Sequence, residues 1–235
     1  MFPQVGVSVV EVLARLGVEV TFNPDQTCCG QPAFNTGYRA EARAVAAHML
    51  DVFERELEAA DCIVAPSGSC TTMVKKFYAE LFADDPELKA RAERVGERVF
   101  ELSQFLVGRL GVEGVGARYD GRVTYHDSCH LLRELGVAGE PRRLIKAVAG
   151  AELIELERSD ACCGFGGTFS VKYPEISTAI AEEKIACIER SGADTVVACD
   201  SSCLMQIAGL LSRRGSAVRC LHLAELLAGS RGAAV

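Results

Sequence analysis

The strongest constraint on this chain is that it repeats itself. Thr27-Cys28-Cys29-Gly30 returns as Ala161-Cys162-Cys163-Gly164 after 134 residues, and residues 60–70 (ADCIVAPSGSC) return as residues 193–203 (ADTVVACDSSC) after 133. Two blocks that keep nearly the same separation across both halves mark an internal duplication. Whatever one half folds into, the other must resemble, and the glycines at 108, 111, 114, 116 and 121 place the join near 110–120. We therefore expect a first repeat over residues 1–115 and a second over residues 116–235.

Each half alternates short β-branched or apolar runs with amphipathic segments, the pattern of parallel strands joined by crossover helices. In the second half this predicts strands at 122–128, 152–156, 195–199 and 217–221. Helices are predicted at 140–150, 174–191 (Pro174 suits a first helical turn), 203–213 and 222–229. The first half predicts helices at 5–16 and 38–59, strands at 18–22 and 62–66, a helix from about residue 70, and a solvated helix from Pro86 to Arg98. The expected fold class is α/β: two pseudo-repeated, Rossmann-like three-layer units with parallel strands, each carrying one Cys-Cys-Gly motif.

Cysteine then narrows the chemistry. There are 11 cysteines in 235 residues, yet the N-terminal sequence lacks the basic region and cleavage site of a secretory signal. With no long apolar run either, a cytoplasmic location without membrane insertion is expected, and there a disulfide scaffold is disfavoured against metal binding or redox work. A formal charge of −7 removes the basic footprint that nucleic acid requires. Hydrophobic residues at 49% exclude a disordered chain.

The second-half cysteines fall as Cys129, Cys162-Cys163 and Cys199-Asp-Ser-Ser-Cys203, each near the end of a predicted strand. In an open parallel sheet those ends converge on one crevice, so several thiolates meet there. Soft thiolates suit zinc or an iron–sulfur cluster. Adjacent cysteines fit poorly to one tetrahedral ion, whose paired ligands are usually spaced apart, which favours a cluster and leaves zinc as the alternative. Gly164, Gly166 and Gly167, with Gly30 in the first half, let backbone N–H groups approach cluster sulfur. The Gly-Phe-Gly-Gly run lacks the order and the downstream acidic residue of a dinucleotide loop, and neither a phosphate-binding loop nor a serine-hydrolase elbow occurs.

The doubled Cys-Cys-Gly, with HDSCH (126–130), CCGFGGTFSVK (162–172) and DSSCLMQI (200–207), resembles the CCG-domain proteins, which include the CCG-bearing component of heterodisulfide reductase and the iron–sulfur subunit of glycolate oxidase. The resemblance is greatest to the lactate utilization protein A family and covers essentially the whole chain. It implies an electron-transfer subunit of a complex that oxidises L-lactate to pyruvate, partnered by a ferredoxin-type iron–sulfur protein and a third subunit. It also implies a 4Fe-4S cluster in each module, cubane or noncubane, held by an early Cys, the Cys-Cys pair and a final Cys-x-x-Cys. Carried onto this sequence, Cys129, Cys162, Cys163 and Cys203 match. Asp200 stands at the first Cys of the final pair in the second half and Ser67 in the first, and Cys199, one residue earlier, is the candidate substitute. In the first half Cys28, Cys29 and Cys70 match, while the opening strand and its early Cys are absent from a chain starting at Met1. A late start and a bare sheet edge are the corresponding expectations. The heterodisulfide reductase likeness implies a rival activity, thiol–disulfide reduction.

Cys62, Cys187 and Cys220 read as small buried hydrophobes. His126 and His130 read as hydrogen-bonding neighbours of the cluster or its loop, with direct ligation the alternative. Asp127 reads either as an acceptor fixing a histidine tautomer or as a helix cap. His48 reads as structural and His222 as a cap or packed side chain.

Overall fold

The computed structural model describes residues 2–229; Met1 and residues 230–235, the tail of the second repeat, lie outside the described residues. The first half contains α1 (Pro3–Arg15), α2 (Gln31–Asn35), α3 (Arg39–Glu56), β1 (Ile63–Ala65), α4 (Gly68–Thr72), α5 (Tyr78–Leu81), α6 (Pro86–Glu97), β2 (Val99–Glu101) and α7 (Leu102–Gln104). π-Helical turns follow α4 at Met73–Phe77 and α7 at Phe105–Arg109. The second half contains β3 (Arg118–Tyr125), α8 (Cys129–Leu135), α9 (Gly139–Lys146), β4 (Ala149–Ile154), α10 (Phe169–Lys172), α11 (Pro174–Ser191), β5 (Thr195–Ala198), α12 (Ser201–Arg213), β6 (Arg219–His222) and α13 (Leu223–Ala228).

Every strand pairing is parallel: β1 with β2, and β4-β3-β5-β6 in that spatial order. The larger sheet runs outward from β3 to β4, then crosses to β5 on the other side. The switch point of this Rossmann-like sheet lies between the carboxyl ends of β3 and β5, where such folds bind ligands. The first half repeats the β5–β6 pair, since Ala65 of β1 is in register with Glu101 as Ala198 of β5 is with His222. The α/β class and parallel strands expected from the sequence are therefore present, and among the described residues no helix is long and apolar enough to cross a membrane.

Several local expectations are corrected. Residues 18–22 are irregular rather than a strand: they have no ladder partner among the described residues, and Phe22 is 75% exposed. Strand β2 and helix α7 arise just beyond the charged helix, where the sequence reading places no element. The strand expected at 122–128 starts at Arg118, inside the glycine-rich stretch, and ends at Tyr125. The helix expected at 140–150 stops at Lys146, because Ala149 and Gly150 pair into β4. Gly150, at φ 83°, sits against Asp120 and the Tyr119 carbonyl beside the ladder's register shift, a conformation a side chain resists.

Apolar packing crosses the join between the repeats. Val5, Val9, Val12 and Leu13 of α1, with Leu102, Phe105 and Leu106, share one core with Val123 of β3, Leu144 of α9 and Leu226 of α13. Arg15 seals that docking by donating to the carbonyls of Val115 (3.2 Å), Leu227 (3.1 Å) and Ala228 (3.0 Å), at the end of α13 where a cation is favoured. Two further cores lie one in each half. The second-half core includes Cys163, Cys187 and Cys203 with Ile185, Ile188 and Ile207, so the metal-candidate thiols sit at the edge of apolar packing.

Candidate metal centre

Strand β3 leaves the sheet as His126-Asp127-Ser128, and the His126 N–H still donates to Val197 of β5 (2.9 Å), which holds it at the switch point. The loop after β4 carries Cys162 and Cys163, and α12 carries Cys203 in its first turn after β5. Three carboxyl-terminal loops thus converge, as the spacing predicts. A ring nitrogen of His126 and the sulfurs of Cys163 and Cys203 all lie within 4.8 Å of one another, all three side chains buried. Among the described residues neither His126 ring nitrogen has a hydrogen-bond partner, although such groups are nearly always paired when buried. Burial, with the charge of Lys184, holds the imidazole neutral by lowering its pKa to about 3. A neutral, unpartnered imidazole against two thiols is a donor set for a soft cation.

Cys162 adjoins Cys163 of this group, and Cys129 lies near Cys162. Cys162 is exposed and shares a hydrogen bond with Cys163 that, with burial, raises its thiol pKa; the Gly164 N–H pointing at its sulfur (3.3 Å) works the other way. At Cys163 the bond to Cys162 lowers the pKa, but contact with Cys203 and burial outweigh it and push the thiol up. Cys129 is raised by burial and by the neighbouring Cys162, and its sulfur lies 3.6 Å from His130 Nδ1. These thiols cannot all ionise together without a cation among them, whose binding exchanges their protons for metal. His130 stands apart from the buried group, its ring edge-on to Phe77 of the first half (6.2 Å).

The backbone around the pair is built for close approach. Gly30 and Gly164, equivalent in the repeat, adopt φ 83° and 85°. A side chain at Gly164 meets the Ser177 carbonyl and, at 3.1 Å, the Ala181 nitrogen, so the loop lies directly on α11. Gly166 and Gly167 are also left-handed. Asp127 neither fixes a histidine tautomer nor caps α8: both its oxygens take the Arg142 guanidinium (2.8 and 2.7 Å), while its N–H donates to the Ser159 carbonyl (3.1 Å).

In the first half Cys29 is buried between Cys28 and Cys70. Hydrogen bonds with both, together with burial, raise its thiol pKa. The same contact with Cys29 lowers the exposed Cys28 thiol to about 6 and also lowers Cys70. Tyr78 donates to the Cys29 carbonyl (3.0 Å), and His48 contacts the Asp25 carbonyl (3.0 Å), tying α3 to the loop before the pair.

Cys199 is placed differently. It is fully buried in the seam between the halves, bonded to the Tyr125 hydroxyl (3.4 Å), and burial and nearby Glu101 raise its pKa. The seam is pseudo-symmetric. Glu101 caps α7 by accepting the Ser103 N–H (2.7 Å), and its counterpart His222 caps α13 by accepting the Ala224 N–H at Nδ1 (3.1 Å). His222 Nε2 therefore carries the proton and donates to Pro66 of the other half (3.1 Å), as expected of a cap. Cys187 is buried, while Cys62 and Cys220 are half-buried.

Glu101, Tyr125, Arg142 and Lys184 were not singled out by sequence reasoning. Glu101 was findable by extending the repeat to ELSQFL and HLAELL, and Lys184 as the one cation on the stripe Ser177, Ala181, Ile185, Ile188. Tyr125 and Arg142 carry no such signal, because their partners lie 74 and 15 residues away.

Comparison with known proteins agrees with the doubled architecture. The family model described as a cysteine-rich CCG domain matches residues 1–75 and 123–208. Proteins named lactate utilization protein A are similar along nearly the full length. That of an Exiguobacterium species is 46% identical over 227 residues, covering 97% of this chain and 91% of the relative. That of Anoxybacillus flavithermus is 49% identical (95% and 92% covered), and that of Bacillus subtilis 44% (95% and 92% covered). The repeated motif, the parallel sheet behind it and the extent of these matches agree, and the chain belongs to the lactate utilization protein A family of CCG cysteine-rich proteins.

Proposed function

We propose that the protein is an iron–sulfur electron-transfer subunit of a cytoplasmic system that oxidises L-lactate to pyruvate. The observation that carries this reading is the buried group of His126, Cys163 and Cys203, with its unpartnered imidazole beside two buried, crowded thiols. Cys129, Cys162, Cys163 and Cys203 are the residues proposed to hold a 4Fe-4S cluster, with His126 beside them. Cys28, Cys29 and Cys70 are the first-half donors. Such a cluster supplies one-electron transfer, whereas oxidation of a 2-hydroxy acid to a 2-oxo acid releases two electrons and two protons. The chain's own residues bind and orient: Gly164 brings the Cys162-Cys163 loop against α11, Arg142 fixes the Asp127 turn after β3, and the apolar core around Cys163 and Cys203 excludes water.

The names of the relatives support lactate as the physiological fuel, and the proposed partners are a ferredoxin-type iron–sulfur protein and a third subunit. The test is genetic and chemical together. A strain lacking this chain should fail to grow on L-lactate, with growth restored by the wild-type chain and not by Cys163→Ser; normal growth without the chain overturns the assignment.

One observation favours a second reading, thiol–disulfide exchange: Cys28 is exposed, and its thiol is drawn down to about 6 by Cys29. A Cys28 thiolate attacking a substrate disulfide would form a mixed disulfide and release one thiolate; attack on that bond by a second thiol would release the other and leave a disulfide at Cys28. Absence of thiol release from disulfides by the dithiol protein removes this reading.

A further inference from the structure

Lys184 lies in the middle of α11 and is 1% exposed. Its ammonium donates to the carbonyls of Arg158 (2.6 Å) and Ser159 (3.1 Å), which leaves it one unused proton. Among the described residues no carboxylate lies within ion-pair distance of it: Asp127 is committed to Arg142, and the exposed Asp160 is farther away. An ammonium buried without a counter-charge is costly, and a nearby anion offsets that cost by favouring the charged form. Burial lowers the Lys184 pKa, while Cys187, Asp160, Cys163 and Asp127 act to raise it, and the ammonium in turn helps to lower that of His126.

A second observation is independent of the charge. Arg158 is, among the described residues, the one non-glycine residue with a left-handed backbone, at φ 52°. That strained turn lies just before Cys162-Cys163, and Lys184 grips the carbonyls of Arg158 and Ser159 within it. The Ser159 carbonyl also takes the Asp127 N–H (3.1 Å), so one ammonium joins α11, the cysteine loop and the His126 turn.

We propose that Lys184 is the resident counter-charge of the second-half metal centre, offsetting thiolate charge at Cys163 and raising the centre's reduction potential. This rests on the iron–sulfur reading above and assigns the residue that tunes it. Lys184 is a positioning residue, with no ligand role. A neutral zinc site of two thiolates and an imidazole has little use for such a cation, whereas a cluster held by four thiolates carries net negative charge.

The experiment is a potentiometric titration, followed by EPR, of anaerobically reconstituted wild type, Lys184→Met, Lys184→Gln and Lys184→Arg, with iron and sulfide measured on each. Lys184→Met should hold the same iron and titrate at a more negative potential, by at least a tenfold change in the reduced-to-oxidised ratio, about 59 mV for one electron. Lys184→Arg should stay near wild type. If Lys184→Met fails to hold iron, Lys184→Gln decides: it keeps bonding to the two carbonyls without the charge, and it should shift negative or lose iron where Lys184→Arg does not. Wild-type potential in loaded Lys184→Gln overturns the inference and leaves the iron–sulfur reading standing. Absence of iron and sulfide from the wild type overturns that reading itself.

Discussion

Ser67 Oγ donates to Asp200 Oδ1 at 2.7 Å, and the two residues are the same position of the repeat, 133 residues apart. The pseudo-symmetry axis of the molecule therefore passes between them. Asp200 is buried and also accepts from the Ser69 hydroxyl (2.7 Å) and the Ser69 N–H. Next to it, Gly68 leaves no room for a side chain, since a Cβ there would lie 2.5 Å from Leu131 Cβ of the second half. Ser67 and Asp200, the positions where the family resemblance implies a ligand cysteine, form a clasp between the two modules here. The seam then continues through His222 to Pro66 and through Glu101 to Cys199.

Removing that clasp should weaken the junction of the halves. Asp200→Ala leaves two hydroxyls and a backbone N–H without their acceptor, at a cost of about 3 kcal/mol. In a double-mutant cycle with Ser67→Ala we expect a coupling of about 1 to 2 kcal/mol by urea unfolding. Strict additivity would show that the observed bond does not contribute.

Glu101 supplies a pH dependence. Burial outweighs its bonds from Ser103 and Gln104 and raises its carboxyl to about 7 from 4.5. The folded state therefore prefers the protonated form. The stability this confers is complete below about pH 4.5 and is lost as pH rises toward about 7, a change on the order of 3 kcal/mol. Metal-free Glu101→Gln should gain stability relative to wild type over that window. A difference that does not vary with pH contradicts the assignment.

Two of the three left-handed glycines after the cysteine pair, Gly164 and Gly167, separate strain from collision. Gly164→Ala adds both a disfavoured φ of 85° and a clash with Ser177 and Ala181, whereas Gly167→Ala meets nothing within 4 Å. We expect Gly167→Ala to cost about 1 kcal/mol, and Gly164→Ala about 3 kcal/mol with a fall in metal bound per chain. Thermal unfolding and metal analysis check both.

Among the thiols, Cys163→Ser and Cys203→Ser should abolish metal retention in the second half, while Cys187→Ser, buried in the same apolar core, should retain it. Equal loss in all three would place the ligands elsewhere.

Much of this was legible in the sequence. Helix α11 is legible from Pro174, which suits its first turn, and the structure ends it at Gly192 in a left-handed cap. That Cys163 and Cys203 meet follows from strand order, since each lies in a loop or first helical turn beyond a strand's carboxyl end. Residues 18–22 misled because alternation announces a strand only if a neighbour completes its ladder. The unpartnered state of His126, the Arg142 clamp on Asp127 and the burial of Lys184 depend on tertiary neighbours that no periodicity encodes. Cys199 looked like a substitute ligand by proximity to Cys203, but it lies in the seam, where Tyr125 and Glu101 claim it.

The central claim, that the second half holds an iron–sulfur centre, is tested most directly by iron, acid-labile sulfide and zinc content per chain with EPR, on anaerobically purified protein. We predict about four irons with matching sulfide from the second-half site, and an EPR signal that changes on reduction and disappears in Cys203→Ser. Stoichiometric zinc with neither iron nor sulfide would contradict the account and make the buried His126, Cys163 and Cys203 group a structural zinc site.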